Sequence, residues 1–282
     1  MSDDRRALVL GGGGLTGIAW MYGLVSGLLA DGVDLRDADL VVGTSAGSVV
    51  GTNLAAGRDP AQLYGTQLAP PAGEIAATMG LRLALRVGAA VVRGPRDARR
   101  VRARIGRMAL DTETVPEAER VGVIRSRLGD ARWPADRDLW VTAVDAHTGD
   151  FRVLTRDDGV DVATAVAASC AVPGVWPPVT VGPTRLVDGG VRSMANADLA
   201  AGYGRVVVLA PLSGGLGGAA SPRVQAEALG ALARVALVEP DRRARRAFGR
   251  NPLDPAHRAA SARAGRAQAV DVVARVARVW DS

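Results

Sequence analysis

The chain has 282 residues, 48% hydrophobic and 23% charged, so it can bury a sizeable core and is too apolar for a disordered protein. It contains no lysine, which excludes mechanisms that need a lysine amine, such as a pyridoxal Schiff base, a Walker-type phosphate loop or a Ser-Lys hydrolase. Its only histidines and cysteine are His147, His257 and Cys170, too few for a Cys/His zinc site.

The net charge of +6 is concentrated in two regions. Residues 82–107 hold nine Arg against Asp97 alone, residues 223–282 hold twelve Arg against six acids, and the remainder is net negative. Solvated arginines explain most such surfaces, and the sharper interpretation is peripheral contact with anionic lipid headgroups. With only two Phe and three Tyr for base stacking, no nucleic-acid partner is expected.

The N-terminal region superficially resembles a signal peptide or a membrane span, because residues 7–30 carry no charge. Seven of these 24 residues are glycine, and four of those are consecutive. That composition favours a buried strand, a tight loop and a buried helix. The single cysteine fits a reducing compartment, and we expect a cytoplasmic protein.

The hydrophobic pattern predicts strands and helices in alternation, as in a parallel sheet with helices packed on it. Predicted strands are residues 7–10, 40–42, 139–144, 151–154, 185–187 and 205–210; predicted helices are 15–30, 48–56 and 162–170, with 60–130 mostly helical. Everything after a glycine-rich loop at 213–221 is predicted helical. There Val272, Val273, Val276, Val279 and Trp280 form an apolar stripe expected to pack on the sheet. One domain is expected over 1–282, with a core at about 7–210 and a C-terminal helical segment at about 222–282 packed on it.

The sequence Gly43-Thr44-Ser45-Ala46-Gly47 lies directly between a predicted strand and a predicted helix. This context is typical of a nucleophile elbow, in which a strained turn lifts the serine hydroxyl above the sheet edge. Gly43 and Gly47 remove side chains that would collide across the turn. The motif predicts Ser45 as a nucleophile.

A serine hydroxyl needs a base to take its proton, and neither histidine is well placed for that role. His147 falls in a probable hairpin turn and His257 in an Arg-rich segment after two prolines. Asp188 instead ends a predicted strand, and Gly189-Gly190 permit close backbone approach. A carboxylate in a water-poor cleft is a good proton acceptor, although Asp-Gly is also an ordinary turn pair.

The run Gly11-Gly12-Gly13-Gly14 exposes backbone N–H groups that no side chain blocks. Such donors suit an oxyanion hole, where one donor contributes about 3 kcal/mol to transition-state stabilisation. The same region also fits the dinucleotide fingerprint Gly12-x-Gly14-x-x-Gly17. That fingerprint expects an acidic residue at the end of the second strand, where this chain has the Gly43-Thr44-Ser45 sequence instead.

Four motifs together resemble the patatin-like phospholipases in order and approximate spacing. They are Gly11-Gly-Gly-Gly-Leu-Thr-Gly17, Gly43-Thr-Ser-Ala-Gly47, Ala168-Ser-Cys-Ala-Val-Pro-Gly-Val-Trp-Pro-Pro178 and Asp188-Gly-Gly190. The resemblance covers about residues 7–209. It implies a three-layer α/β sandwich with a mainly parallel central sheet, a Ser45–Asp188 dyad without histidine, and an oxyanion hole from the glycine loop.

The resemblance also implies hydrolysis of phospholipids, lysophospholipids or related acyl lipids, which is lipid degradation without a metal or an organic cofactor. Residues 70–110 and 213–221 are candidates to cover an acyl groove. One departure is Thr16, where the family usually has Arg or Lys. This departure motivates a second hypothesis, a catalytically weak lipid-binding or regulatory protein on the same scaffold. In the third motif Cys170 is expected to be a small buried thiol, and Pro173, Pro177 and Pro178 to shape the chain.

Overall fold

The computed structural model describes residues 4–70, 88, 97–214 and 220–281. Its eight strands form one sheet and are β1 Arg6–Leu10, β2 Leu40–Gly43, β3 Asp138–Asp145, β4 Phe151–Leu154, β5 Val179–Val181, β6 Thr184–Asp188, β7 Arg205–Leu209 and β8 Arg234–Val238. The strand order is β5-β6-β3-β2-β1-β7-β8, with β4 paired to β3. The pairs among β3, β2, β1, β7 and β8 are parallel, whereas β4, β5 and β6 join antiparallel.

The described helices are α1 Gly14–Ala30, α2 Ala46–Ala55, α3 Pro60–Leu68, α4 Ala98–Leu110, α5 Glu117–Leu128, α6 Val162–Ser169, α7 Pro222–Leu229, α8 Arg242–Phe248 and α9 Arg258–Trp280. Aspartate side chains cap several of them. Asp59, Asp97, Asp161 and Asp241 each accept a hydrogen bond from a backbone N–H in the first turn. These caps satisfy donors that a helix leaves unpaired at its start.

Successive side chains of the central strands point to opposite faces of the sheet, and both faces are buried. Leu8 and Leu10 of β1 join a core cluster with α1, α2 and α9. Ala7 and Val9 of the same strand pack on the other side against residues 195–203 and Leu229. Burial on both faces explains why β1, β2 and β7 are runs of apolar residues without alternation.

The predicted fold class is confirmed, since a mainly parallel central sheet lies between helices. Two strands were missed. The segment after Ser221 is not wholly helical, because Arg234–Val238 forms β8 and pairs with β7, so the sheet extends beyond the predicted core. Val179–Val181 forms β5, a short strand at the opposite edge.

The C-terminal apolar stripe is buried as predicted at Val272, Val276, Val279 and Trp280. These side chains belong to the same core cluster as residues of β7 and β8, and helix α9 contacts both strands, in agreement with the expected packing on the sheet. The same helix also packs along α1 over its N-terminal half, a contact that the stripe did not predict. The two helices approach closely there, because Gly265 of α9 lies directly against the Trp20 carbonyl of α1.

Most of the first arginine-rich region and the two segments expected to cover an acyl groove lie outside the described residues. Their described part includes α4, which packs Val101, Ile105 and Ala109 against Val144 and Val187 of the sheet. The uncharged N-terminal run forms β1 and α1, both buried in the fold. In the parts of the chain that the structure describes, no helix has the length and apolarity needed to cross a bilayer.

The contact between α1 and α9 predicts a large effect for a small substitution. A Cβ at Gly265 would lie 2.1 Å from the Trp20 carbonyl oxygen, so Gly265→Ala forces the two helices apart. We expect a loss of about 1–3 kcal/mol in the free energy of unfolding, measured by urea denaturation. The matched control is Gly122→Ala in α5, where a Cβ meets nothing within 4 Å. That variant gains up to about 1 kcal/mol from helix propensity, and equal effects of the two substitutions would contradict the packing argument.

Candidate active site

Ser45 occupies a strained turn between β2 and α2. Its φ of 51° and ψ of −117° are unusual for a residue with a side chain. The turn requires glycine on either side. A Cβ at Gly47 would lie 1.9 Å from the Leu10 carbonyl oxygen, and one at Gly43 would lie 2.5 Å from the Ser48 Cα. The local sequence therefore dictates a nucleophile-elbow geometry.

Hydrogen bonds on both sides of Ser45 hold its backbone. The Ser45 N–H donates to the Ser169 Oγ at 2.9 Å. The Ser45 carbonyl accepts from the Ser48 Oγ at 2.6 Å and from the Cys170 Sγ at 3.3 Å. Cys170 is buried, as predicted, and its thiol pKa is raised to about 11 by burial. Ser169 and Cys170 thus link the end of α6 to the strained turn.

Strand β3 brings Asp188 to the same edge of the sheet as Ser45. Val141 of β3 lies opposite Gly43 of β2, and Ala143 of β3 lies opposite Asp188 of β6. The Ser45 hydroxyl lies close enough to the Asp188 carboxylate to lower its pKa. The Gly190 N–H donates to the Asp188 Oδ1 at 2.7 Å, so the aspartate also caps the turn that follows it.

Burial raises the pKa of Asp188 to about 6, because desolvation disfavours the carboxylate. Three smaller effects oppose burial and lower the pKa: the nearby Ser45 hydroxyl, the hydrogen bond from the Gly190 N–H, and the positive charge of Arg120. Asp188 is mostly ionised at neutral pH yet is a stronger base than an ordinary aspartate. These properties suit a group that must accept a proton near pH 7.

A buried polar network supports the turn from below. The Thr44 and Thr142 hydroxyls lie 2.9 Å apart, and the Asn196 Nδ2 donates to the Thr44 Oγ1 at 3.0 Å. The same amide donates to the Ser193 carbonyl at 2.8 Å. Asn196 itself has a φ of 52°, a left-handed conformation that asparagine tolerates better than most residues. Sequence reasoning missed Asn196, because its role depends on contacts between distant segments.

The four glycines predicted as oxyanion donors divide into two pairs. The Gly11 N–H donates to the Leu209 carbonyl at 2.9 Å and the Gly12 N–H to the Met194 carbonyl at 2.7 Å, so the fold already uses both. Among the described residues, no acceptor takes the N–H of Gly13 or Gly14. The prediction of four equivalent donors is therefore too broad, and the second pair remains as candidates.

Thr16, the departure from the family pattern, is fully buried beside this loop. Its N–H donates to the Pro252 carbonyl at 3.1 Å, and its hydroxyl contacts the same oxygen at 3.4 Å. Gly14 also lies against Pro252, where an added Cβ would be 2.6 Å from that oxygen. Thr16 thus ties the start of α1 to a distant segment.

Neither histidine lies at the Ser45 turn. His147 is exposed in the β3–β4 connection, where its N–H donates to the Asp145 Oδ1 at 2.8 Å. His257 lies beside Gly249, and its Nε2 is 4.0 Å from the Asp254 carboxylate. Of the side chains that the sequence analysis considered beside Ser45, Asp188 and Cys170 lie next to it, and the two histidines do not.

A small cleft opens beside Ser45, with a volume of about 30 Å³. Its lining includes Gly14 and Ser45, and also Arg120, Cys170 and Trp176. Sequence reasoning missed Arg120, although a signal was present. Arg120, Ile124 and Leu128 follow one another at four-residue spacing on the buried face of α5, which puts a cation on an apolar stripe.

Comparisons with known proteins agree with the resemblance inferred from the four motifs. A family model described as Patatin-like phospholipase matches residues 8–201. Solved structures similar to this chain include VipD from Legionella pneumophila and the type III effector protein ExoU. The VipD alignment has 13% sequence identity and a TM-score of 0.49, and it covers 96% of this chain and 67% of VipD. The ExoU alignment has 18% identity and a TM-score of 0.42, and it covers 98% of this chain and 54% of ExoU. A search of curated proteins finds no match.

The environment of Asp188 predicts that this residue destabilises the native protein at neutral pH. Its pKa is higher in the folded state than in the unfolded state, so the folded state binds the proton more tightly. The penalty is absent below about pH 4, grows as pH rises, and is complete above about pH 6. Asp188→Asn removes it, and we expect a gain of about 2–3 kcal/mol in the free energy of unfolding at pH 8 that shrinks towards pH 4.

Urea denaturation at several pH values checks this expectation, with the exposed Asp111→Asn as the matched control. The control is expected to change stability by less than about 0.5 kcal/mol at every pH. An Asp188→Asn protein that is less stable than wild type at pH 8 would show that the carboxylate stabilises the fold.

Proposed function

Because residues 8–201 place the chain in the patatin-like phospholipase family, we propose that it is a serine lipid acyl hydrolase with Ser45 and Asp188 as its catalytic dyad. Family and fold support acyl hydrolysis of lipids in general. The observation that carries the assignment of residues is that Ser45, at a strained strand-to-helix turn, acts directly on the buried Asp188 carboxylate. The substrates are phospholipids, lysophospholipids or related acyl esters.

In the first half of the reaction the Ser45 Oγ attacks the acyl carbonyl carbon while Asp188 accepts the hydroxyl proton. The fold already brings the Ser45 hydroxyl beside this acceptor, so little reorganisation is needed for the transfer. Return of the proton to the leaving alkoxide releases the alcohol part of the lipid and leaves an acyl-enzyme at Ser45. Asp188, with a pKa of about 6, is ionised at neutral pH and available for the first transfer.

The tetrahedral intermediate places negative charge on the former carbonyl oxygen, and the N–H groups of Gly13 and Gly14 are the proposed donors to it. Gly14 lines the cleft beside Ser45. Helix α2 begins at the residue after Ser45, so the positive end of its dipole also lies at the site. Donors fixed by the fold need no reorganisation during the reaction, which is why such groups contribute strongly to catalysis.

In the second half Asp188 takes a proton from a water molecule as the water oxygen attacks the acyl carbonyl carbon. The Ser45 Oγ–acyl bond then breaks, the proton passes from Asp188 to the Ser45 Oγ, and the fatty acid is released. The same carboxylate therefore serves as base in both halves, and no histidine is needed. Peripheral contact of the arginine-rich surfaces with an anionic membrane and a cytoplasmic location remain part of this proposal.

Substitution of the dyad is expected to abolish turnover of p-nitrophenyl acyl esters. We expect Ser45→Ala to lower kcat by about a thousandfold or more, and Asp188→Asn by about a hundredfold or more, because the nucleophile or its base is lost. A fluorophosphonate probe should label wild type and not Ser45→Ala. The matched controls are Ser126→Ala, at an exposed serine, and His147→Ala, both within about twofold of wild type. If His147→Ala loses activity while Asp188→Asn retains it, Asp188 is not the catalytic base.

The pH dependence follows from the same carboxylate. Only ionised Asp188 can accept the proton, so kcat/KM is expected to be half-maximal near pH 6 and to fall tenfold per pH unit below it. An ordinary aspartate would place this midpoint two units lower. Initial rates on a p-nitrophenyl ester from pH 4.5 to 8, at pH values where the protein is shown by fluorescence to be folded, measure the midpoint. A midpoint near pH 4 would mean that the catalytic base is not desolvated.

A further inference from the structure

Arg120 is a cation buried beside the proposed nucleophile. It lies on the inward face of α5 with Ile124 and Leu128, and only 4% of its surface is exposed. It lines the same cleft as Ser45 and Trp176. An arginine on a helix surface normally keeps its guanidinium in water, so this position requires an explanation.

The guanidinium has no ionic partner in the part of the chain that the structure describes. Its Nε is buried without a hydrogen-bond acceptor. Its contact is the ring of Trp176, whose centroid lies 4.0 Å from the Arg120 Cζ. Desolvation lowers the pKa of Arg120 to about 10, which still leaves it charged at neutral pH.

Other arginines of the chain form ion pairs with acidic side chains. Arg120 therefore differs from them in lacking an ion pair among the described residues as well as in being buried. Arg192 pairs with Asp198 at 2.5 Å and also contacts Phe151, whereas Arg125, on the same helix as Arg120, pairs with Asp161 at 3.3 Å. An unpaired charge in a protein interior costs several kcal/mol. The charge of Asp188 acts on Arg120 and offsets part of this cost, but it makes no ion pair with the guanidinium, so the buried Nε–H remains available to an anion supplied from outside.

The chemistry of the site limits what that anion is. A guanidinium is a planar fork of N–H donors that matches the oxygens of phosphate. The Trp176 ring holds the guanidinium through a cation–π contact. The cleft that Arg120 lines also includes Ser45, so an anion bound there lies beside the proposed nucleophile.

We propose that Arg120 binds the phosphate of the lipid headgroup and so makes the site selective for acyl esters that carry a phosphate over neutral acyl esters. The kinetic part of this inference rests on the proposed hydrolase function. The binding part does not, because an anion binds at Arg120 whether or not Ser45 reacts.

Binding is tested on full-length Ser45→Ala protein, so that no turnover occurs. Inorganic phosphate, sn-glycerol 3-phosphate and lauroyl lysophosphatidic acid are titrated while tryptophan fluorescence is recorded, and Trp176→Phe assigns the signal. We expect saturable binding, tightest for the lysolipid, that weakens at least tenfold in Arg120→Gln and is unchanged in Arg125→Gln. Arg125→Gln makes the same charge change at an exposed site. Equal affinity in the two variants overturns the proposal.

Selectivity is tested by comparing lauroyl lysophosphatidic acid with monolaurin, which has the same acyl chain and no phosphate. We expect Arg120→Gln to lower the ratio of the two kcat/KM values at least tenfold. Rates are measured at pH 8, where loss of the Arg120 charge has little effect on the ionisation of Asp188, and any remaining effect on the base is common to both substrates and cancels in the ratio. Phosphate binding that depends on Arg120 without any change in this ratio would identify a site for free phosphate and overturn the headgroup assignment. Absence of turnover in wild type would refute the proposed function, while the binding titration still decides the role of Arg120.

Misfolding is excluded as an explanation by Arg120→Met, which replaces the charged side chain by a shorter, flexible apolar one suited to a buried position. Removing an unpaired buried charge is expected to leave the Tm of Arg120→Met equal to or above that of wild type. Phosphate affinity should fall in this variant as in Arg120→Gln. A lowered Tm with retained phosphate affinity would show that Arg120 serves the fold and not a ligand.

Discussion

The approach of Ser45 to the buried Asp188 carboxylate is the interaction on which the site depends, and the pairing of the strands in the sheet brings the two residues together. Ser45 follows β2, Asp188 ends β6, and β3 lies between the two strands as their shared neighbour. A shift of β6 by one residue would turn the Asp188 side chain to the opposite face. The register of β6 on β3, with Asp188 opposite Ala143, is therefore a requirement of the site.

The site keeps two charged side chains buried, although apolar side chains in their place would make the fold more stable. Asp188 is buried with a raised pKa, and Arg120 is buried without an ionic partner. Each of the two groups lowers the electrostatic cost of the other, because Arg120 lowers the pKa of Asp188 through its charge. The surrounding structure compensates with a large two-sided core and with the long contact between α1 and α9. Stability elsewhere permits desolvated charges at one edge of the sheet, a common compromise in active sites.

Features that depend on neighbouring residues could be predicted from the sequence. The elbow at Ser45, the strand ending at Asp188 and the burial of β1 and α1 follow from motifs and from apolar runs that local geometry explains. Features that depend on distant segments could not. Strand β8 lies between two helices in an Arg-rich region, so its pairing with β7 leaves little local signal. Arg120 and Asn196 acquire their roles only when α5 and the segment after β6 reach the Ser45 turn.

The glycine loop shows why residue type alone does not assign a donor. All four glycines look equivalent in the sequence, yet Gly11 and Gly12 use their N–H groups to join β1 to the segments at Leu209 and Met194. These bonds fix the loop, and a fixed loop presents Gly13 and Gly14 in one orientation. Thr16 adds a second anchor through Pro252. The first pair of glycines therefore positions the second, and the buried threonine strengthens the loop at the point where the family usually carries a cation.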